Sequence, residues 1–165
     1  MLPMDGFHLY MHELRQLDDF EHAFAMRGSP WTFSPSRLAD TLQRIREGCD
    51  DLLAPSFDHS FGDPIERAFV IPAGTPALLV EGNYLHLPDG GWQYVGAQLD
   101  EIWYLDASLA RCRERLVRRH VETGVASSTE GARKKVEQCD GPNADLIAQH
   151  ADRCSVRVPS IDSFG

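Results

Sequence analysis

Apolar and polar positions along the chain switch repeatedly between two periods, and the switching predicts strands interleaved with helices. The segment SPSRLADTLQRIREG sets Leu38, Leu42 and Ile45 at helical spacing, with Ser34 or Ser36 as N-cap and Gly48 as the stop. AFVIP is short, rich in strand formers and closed by Pro72. PALLVEGNYL is the strongest strand signal, because residues 77–80 form the unbroken apolar run expected of a central parallel strand buried on both faces. DEIWYLD is a second run of that kind, and SLARCRERLVRRHVETG then reads as a helix ending near Gly124. STEGARKKVEQCDGPNADLIAQH is helical with a break at Gly141 and Pro142, and CSVRVPS supplies a last strand. Strands alternating with helices imply right-handed crossovers and a parallel sheet with helices on both faces, an α/β fold. No repeat or low-complexity linker interrupts residues 1–165, so a single domain is expected.

Charge and cysteine usage narrow the function classes. The formal net charge of -9 has the wrong sign for broad binding to nucleic acid or an anionic membrane. No run reaches the length of a membrane span, and no basic stretch leads into an apolar one as in an export signal. Cys49, Cys112, Cys139 and Cys154 are scattered without a CxxC pair, which suits reduced thiols and a cytoplasmic location.

In open α/β sheets chemistry collects at the carboxyl ends of strands. That rule selects Asp5 after LPM, Glu81 after ALLV and Asp106 after IWYL. Each carboxylate can take a proton from a hydroxyl or organise a metal ion and its waters. Asp106, just before ASLAR, reads as a helix cap instead. Gly6 and Gly82, next to the other two, would let backbone approach a ligand, and glutamate is a poor cap. Arg111, Arg115 and Arg118 lie at i, i+4 and i+7, one stripe of a helix, and guanidinium groups match phosphate oxygens in bidentate fashion. A solvated face with Glu114 paired to Arg118 is the plainer reading of that stripe. His8, beside the Asp5 turn, and His59, in FDHS, are within reach of a substrate; the other five histidines read as surface or packing residues, and Trp31, Trp92 and Trp103 as packing.

Five strings, PMDGFHL, PSFDHSFGDP, LLVEGNYL, RERLVRRH and DGPNADLI, occur in an order that resembles the uridine kinase/pantothenate kinase-like branch of the P-loop kinases. The resemblance runs from Pro3 to about Pro159. It implies a three-layer P-loop NTPase-like fold and ATP-dependent phosphorylation of a hydroxyl on a small nucleoside, sugar or pantothenate-like metabolite, with Mg²⁺. It makes Asp5 the catalytic base, Glu81 the acid near the magnesium ion, and His8, Phe57, Asp58, His59, Asn83 and Tyr84 the acceptor side. Arg115, Arg118 and Arg119 become lid residues over the phosphates, in a lid-like helical segment spanning about 107–140, and Asn143 a nucleotide-side residue. Such kinases carry a first strand and the loop G-x-x-x-x-G-K-[ST] upstream of the Asp5 position. Residues 1–165 contain no such string, and their only lysines are Lys134 and Lys135. The expectation is therefore a chain lacking that strand and loop, inactive as a kinase by itself, with an exposed sheet edge open to self-association. Two other classes fit the residues: a kinase-like binding or regulatory module, and a magnesium-dependent phosphohydrolase using Asp5, Glu81 and Asp106. The second lacks an Asp two residues after Asp5, where Phe7 stands.

Overall fold

Proline and glycine divide the chain into short elements, and in the computed structural model these are described for residues 1–58 and 62–160. They form two compact units, Met1–Asp100 and Glu101–Gly165.

The first unit opens with strand β1 (Leu2–Pro3), a 3₁₀ turn over Met4–Phe7, and helices α1 (Met11–Leu14) and α2 (Phe20–Ala25). Helix α3 (Pro35–Arg46) starts where the sequence places it. The Ser34 side chain accepts a hydrogen bond from the Arg37 backbone N–H, and Pro35 occupies the first turn, where its missing N–H costs nothing. Gly48, at φ 76°, ends the helix in the left-handed conformation. Leu38, Ala39 and Leu42 are buried from this helix. Strands β2 (Leu52–Asp58) and β3 (Asp63–Ile71) follow, then β4 (Val80–Glu81) and helix α4 (Trp92–Gly96). β1 and β4 pair in parallel, Leu2 opposite Val80 and Pro3 opposite Glu81. The core of this unit gathers Leu2, Met4, Phe7, Leu38, Tyr84, Trp92 and Val95. Phe33 meets Tyr84 and Trp92 edge-on, with ring centroids 5.6 and 5.9 Å apart. Each such large apolar side chain contributes about 1.5–3 kcal/mol on burial.

β2 and β3 make an antiparallel hairpin, which the sequence reading did not include; it saw only the AFVIP end of β3. The ladder is regular at Leu52 opposite Ile71 and again at Asp58 opposite Asp63, but slips between Ala54 and Ser56. Pro55 sits at the slip. It has no N–H for the ladder, so Glu66, Arg67 and Ala68 bulge out opposite it. Arg67 takes φ 55°, a left-handed conformation that L-residues adopt only under constraint.

The second unit contains β5 (Trp103–Asp106), α5 (Leu109–Glu122), α6 (Thr129–Lys135), a π turn over Val136–Asp140, α7 (Gly141–Gln149) and β6 (Val156–Pro159). β5 and β6 run parallel, from Trp103 opposite Val156 to Asp106 opposite Pro159. The helical break expected at Gly141 and Pro142 falls just before them, in the π turn. Pro142 lies in the first turn of α7, the one place in a helix that tolerates it. Gly124, at φ 74°, closes α5 as expected.

Two expectations need correction. The run at residues 77–80 is not a strand buried on both faces: only Val80 and Glu81 join β4, and Leu79 is 68% exposed. Trp103 and Leu105 of β5 are likewise 63% and 71% exposed. An apolar run states what a strand can bury; what covers it depends on the rest of the fold, and here each strand is paired along one edge. Asp106 does not cap α5 either, because Ser108 holds the N-cap position. The Asp106 carboxylate instead faces Arg157 at 3.8 Å. The four cysteines are free thiols, as their scatter implied. Among the described residues no helix is long and apolar enough to cross a membrane.

Candidate active site

Asp5 lies in the 3₁₀ turn that ends β1, between buried Met4 and buried Gly6. Glu81 ends β4 directly opposite Pro3. Two carboxylates thus leave the same end of two neighbouring parallel strands, whose backbones run about 4.8 Å apart. Desolvation, and after it the Asp5 charge, pushes the Glu81 carboxyl above its ordinary range.

The glycines beside these carboxylates do not open the backbone to a ligand; the chain itself fills the space. A Cβ on Gly6 would stand 2.6 Å from the Pro55 carbonyl oxygen, and one on Gly82 would stand 2.5 Å from the Met4 Cβ. Close packing of turn against hairpin, and of the two strand ends against each other, is what demands glycine here.

His8 is only 6% exposed and packs rather than faces solvent. Its Nδ1 donates to the Asp5 carbonyl oxygen at 2.8 Å. Its ring lies 3.9 Å from that of Phe33 and 4.4 Å from that of Phe57. The turn is tied further by the Ser34 N–H on the Phe7 carbonyl at 2.8 Å and the Leu9 N–H on that of Thr32 at 2.9 Å. Phe57 and Asp58 end β2, half-buried, and His59 lies outside the described residues. Asn83 is exposed beside Glu81. Tyr84 is buried, its hydroxyl donating to the Gly28 carbonyl, so its place is in the core.

Arg27 is the residue that sequence reading missed. Its guanidinium donates from Nη2 to the Leu9 carbonyl at 2.8 Å and reaches Asp63 at 3.4 Å, and it lies over the Phe57 ring at 5.4 Å. Nη1 contacts the Met11 sulfur at 2.8 Å. Its side chain is 12% exposed, and Nε has no partner among the described residues. Burial lowers its pKa, with Asp63 opposing the shift. Through Arg27 and the Gly28 carbonyl, one turn holds the Asp5 segment, the hairpin and the segment after Glu81. The available signal was Arg27 directly before the turn formers Gly28, Ser29 and Pro30.

The arginine stripe belongs to the second unit. Arg111, Arg115, Arg118 and Arg119 are exposed on α5. Arg113 instead donates from Nη2 to both carboxylate oxygens of Asp145, at 2.7 and 2.8 Å. His120, read earlier as an ordinary surface or packing residue, is buried and bonded to Asp140 at 2.7 Å across the π turn. Asn143 donates to the Cys139 sulfur at 3.7 Å.

Asp5 and Glu81 thus stand at neighbouring parallel strand ends, beside a hairpin whose Phe57 ring packs on His8. No family model matches the chain. It is 34% identical over 160 residues to the ATP-dependent kinase-like protein notR' of Aspergillus versicolor, covering 94% of this chain and 93% of that one. It is 32% identical over 151 residues to a protein of Schizosaccharomyces pombe provisionally named a uridine kinase, covering 91% of this chain but only 64% of that protein. A crystal structure from Silicibacter sp. TM1040, provisionally described as a fructose transport system kinase, superposes with a TM-score of 0.84 at 25% identity, over 96% of this chain and 73% of that one. The chain belongs to the uridine kinase-like family of P-loop kinases and has their α/β fold.

Proposed function

We propose that the chain provides the acceptor side of an ATP-dependent phosphotransferase acting on a hydroxyl of a small metabolite, of nucleoside, sugar or pantothenate type. The observation that carries this reading is the placement of Asp5 and Glu81 at adjacent parallel strand ends, with the Glu81 carboxyl raised by desolvation and by Asp5. Asp5 accepts the proton of the acceptor hydroxyl as the oxygen attacks phosphorus. Phe57 and Asp58 border the acceptor, and Arg115, Arg118 and Arg119 gather the transferred phosphate's charge from the lid-like segment.

Two mutually repelling carboxylates suit a hard cation, although no group of three or more His, Cys, Asp or Glu able to hold a metal occurs among the described residues. Mg²⁺ commonly takes one or two carboxylates and completes its shell with water and substrate phosphates. Glu81, with Asp5, would hold it, and it would neutralise charge on the phosphates. A second reading is a kinase-like module that binds the acceptor without transferring phosphate.

The test is phosphate transfer from magnesium-ATP to a panel of nucleosides, sugars and pantothenate, by the full-length protein carrying this chain and by its Asp5→Asn variant. Removal of a positioned general base lowers turnover about 10²–10⁴-fold. Turnover unchanged by Asp5→Asn moves the base elsewhere; no transfer to any acceptor leaves the binding-module reading.

A further inference from the structure

Apart from the strand-end carboxylates, the first unit holds a concavity of about 290 Å³. One wall is α3, contributing Arg37, Asp40 and Thr41 at i, i+3 and i+4. The other is the bulged hairpin, contributing Leu53, Pro55, Glu66 and Arg67, and the floor is Gly6 and Phe7.

Its polar groups divide into occupied and unoccupied. Arg37 donates to Glu13 at 2.9 Å and lies over the Tyr10 ring at 5.1 Å. The Tyr10 hydroxyl donates to Glu66 at 2.9 Å; burial, then that carboxylate, pushes the phenol pKa up to about 12, so it stays a neutral donor. Thr41 donates to the Arg37 carbonyl at 2.8 Å. Asp40 on one wall and Arg67 on the other have no hydrogen-bond or ion-pair partner among the described residues. Arg67 is also held at φ 55°. Strained backbone and bulges concentrate where a side chain is aimed at a ligand. The hairpin wall also offers apolar surface, from Leu53, 40% exposed, and Pro55.

We propose that this pocket binds a small zwitterion of the α-amino-acid or dipeptide class. The ligand's ammonium pairs with Asp40, its carboxylate with Arg67, and its apolar body lies on Leu53 and Pro55. Guanidinium meets a carboxylate through two parallel N–H···O bonds, which sets the ligand's direction across the pocket. The site goes beyond the phosphotransferase reading and stands without it. Its floor directly follows Asp5, and its hairpin wall carries Phe57 and Asp58 at the far end of β2.

Titration of the full chain by calorimetry and by ¹⁵N amide shifts tests the site without reference to kinase activity. The probes are L-leucine, glycyl-L-leucine, leucine amide (cation only) and 4-methylpentanoate (anion only). The zwitterions bind saturably at millimolar affinity or better and shift the Gly6 and Thr41 amides. Each singly charged analogue binds at least about tenfold more weakly, as does each zwitterion to Asp40→Asn and to Arg67→Gln, the loss of one ion pair being worth about one decade. Asp40 and Arg67 are exposed, so both variants retain the fold, checked by their unchanged amide spectra elsewhere. Absence of saturable zwitterion binding overturns the proposal. So does equal binding of the singly charged analogues, or undiminished binding by both variants.

Discussion

The Arg27 guanidinium lies over the Phe57 ring, 5.4 Å from its centroid, while the same group donates to the Leu9 carbonyl. A residue between α2 and α3 thereby helps set the position of a residue at the end of β2, whose ring packs on His8 close to Asp5.

Replacing Arg27 by Met keeps the length of the side chain but leaves the Leu9 carbonyl and Asp63 without this donor. Stability falls by about 1–3 kcal/mol, chiefly the cost of leaving the part-buried Leu9 carbonyl without its donor, since Asp63 still accepts from the Met11 N–H. Arg27→Lys recovers less than half of that loss, because one ammonium cannot reproduce the planar fork. Urea unfolding of the three proteins measures both effects; full recovery by lysine would reduce Arg27 to a point charge.

Glu81 sets a pH dependence. Its folded-state pKa lies above its ordinary 4.5, so the folded state holds the proton more tightly than the unfolded one. Stability therefore falls as pH rises through the interval above 4.5 and stays at the lower level at neutral pH. Glu81→Gln raises Tm at pH 7, modestly because the side chain is exposed to solvent, and the gain vanishes at pH values below 4.5. Melting curves from acid to neutral pH check the sign.

Gly82→Ala places a methyl group 2.5 Å from the Met4 Cβ and 2.8 Å from its sulfur. The two strand ends must part, at a cost of about 1–3 kcal/mol. A matching loss of denaturation midpoint, with reduced amide protection at Asp5, is the expected result.

Residues 1–165 alone bind magnesium-ATP at millimolar affinity or more weakly. The amides and lysine of a phosphate loop contribute to nucleotide affinity and to charge stabilisation during transfer, and none is encoded here. A difference of about 4 kcal/mol corresponds to a thousandfold in Kd. Calorimetry decides, and micromolar binding with turnover would assign that work to another segment of the chain.

Local chemistry alone determined much of this protein. Ser34, Pro35 and Gly48 bound α3 because a cap, a first-turn proline and a left-handed stop act within a few residues of chain. Asp5 and Glu81 were legible because an apolar run ending in a carboxylate marks a strand end, and the five ordered strings were sufficient for the family. Tertiary structure decided the rest. The antiparallel hairpin was hidden because Pro55 and the bulge at Glu66, Arg67 and Ala68 break the period-two pattern that reports a strand. Arg27 and its partners Leu9 and Asp63 lie 18 and 36 residues apart, a separation no local periodicity encodes. Gly6 and Gly82 looked like openings toward a ligand and proved to be contact points with Pro55 and Met4, because a missing side chain shows that something comes close without showing what. The apolar runs at residues 77–80 and in β5 announced strands, but their burial depends on which surfaces cover them. That is a property of the assembled fold, since hydrophobicity has no direction of its own.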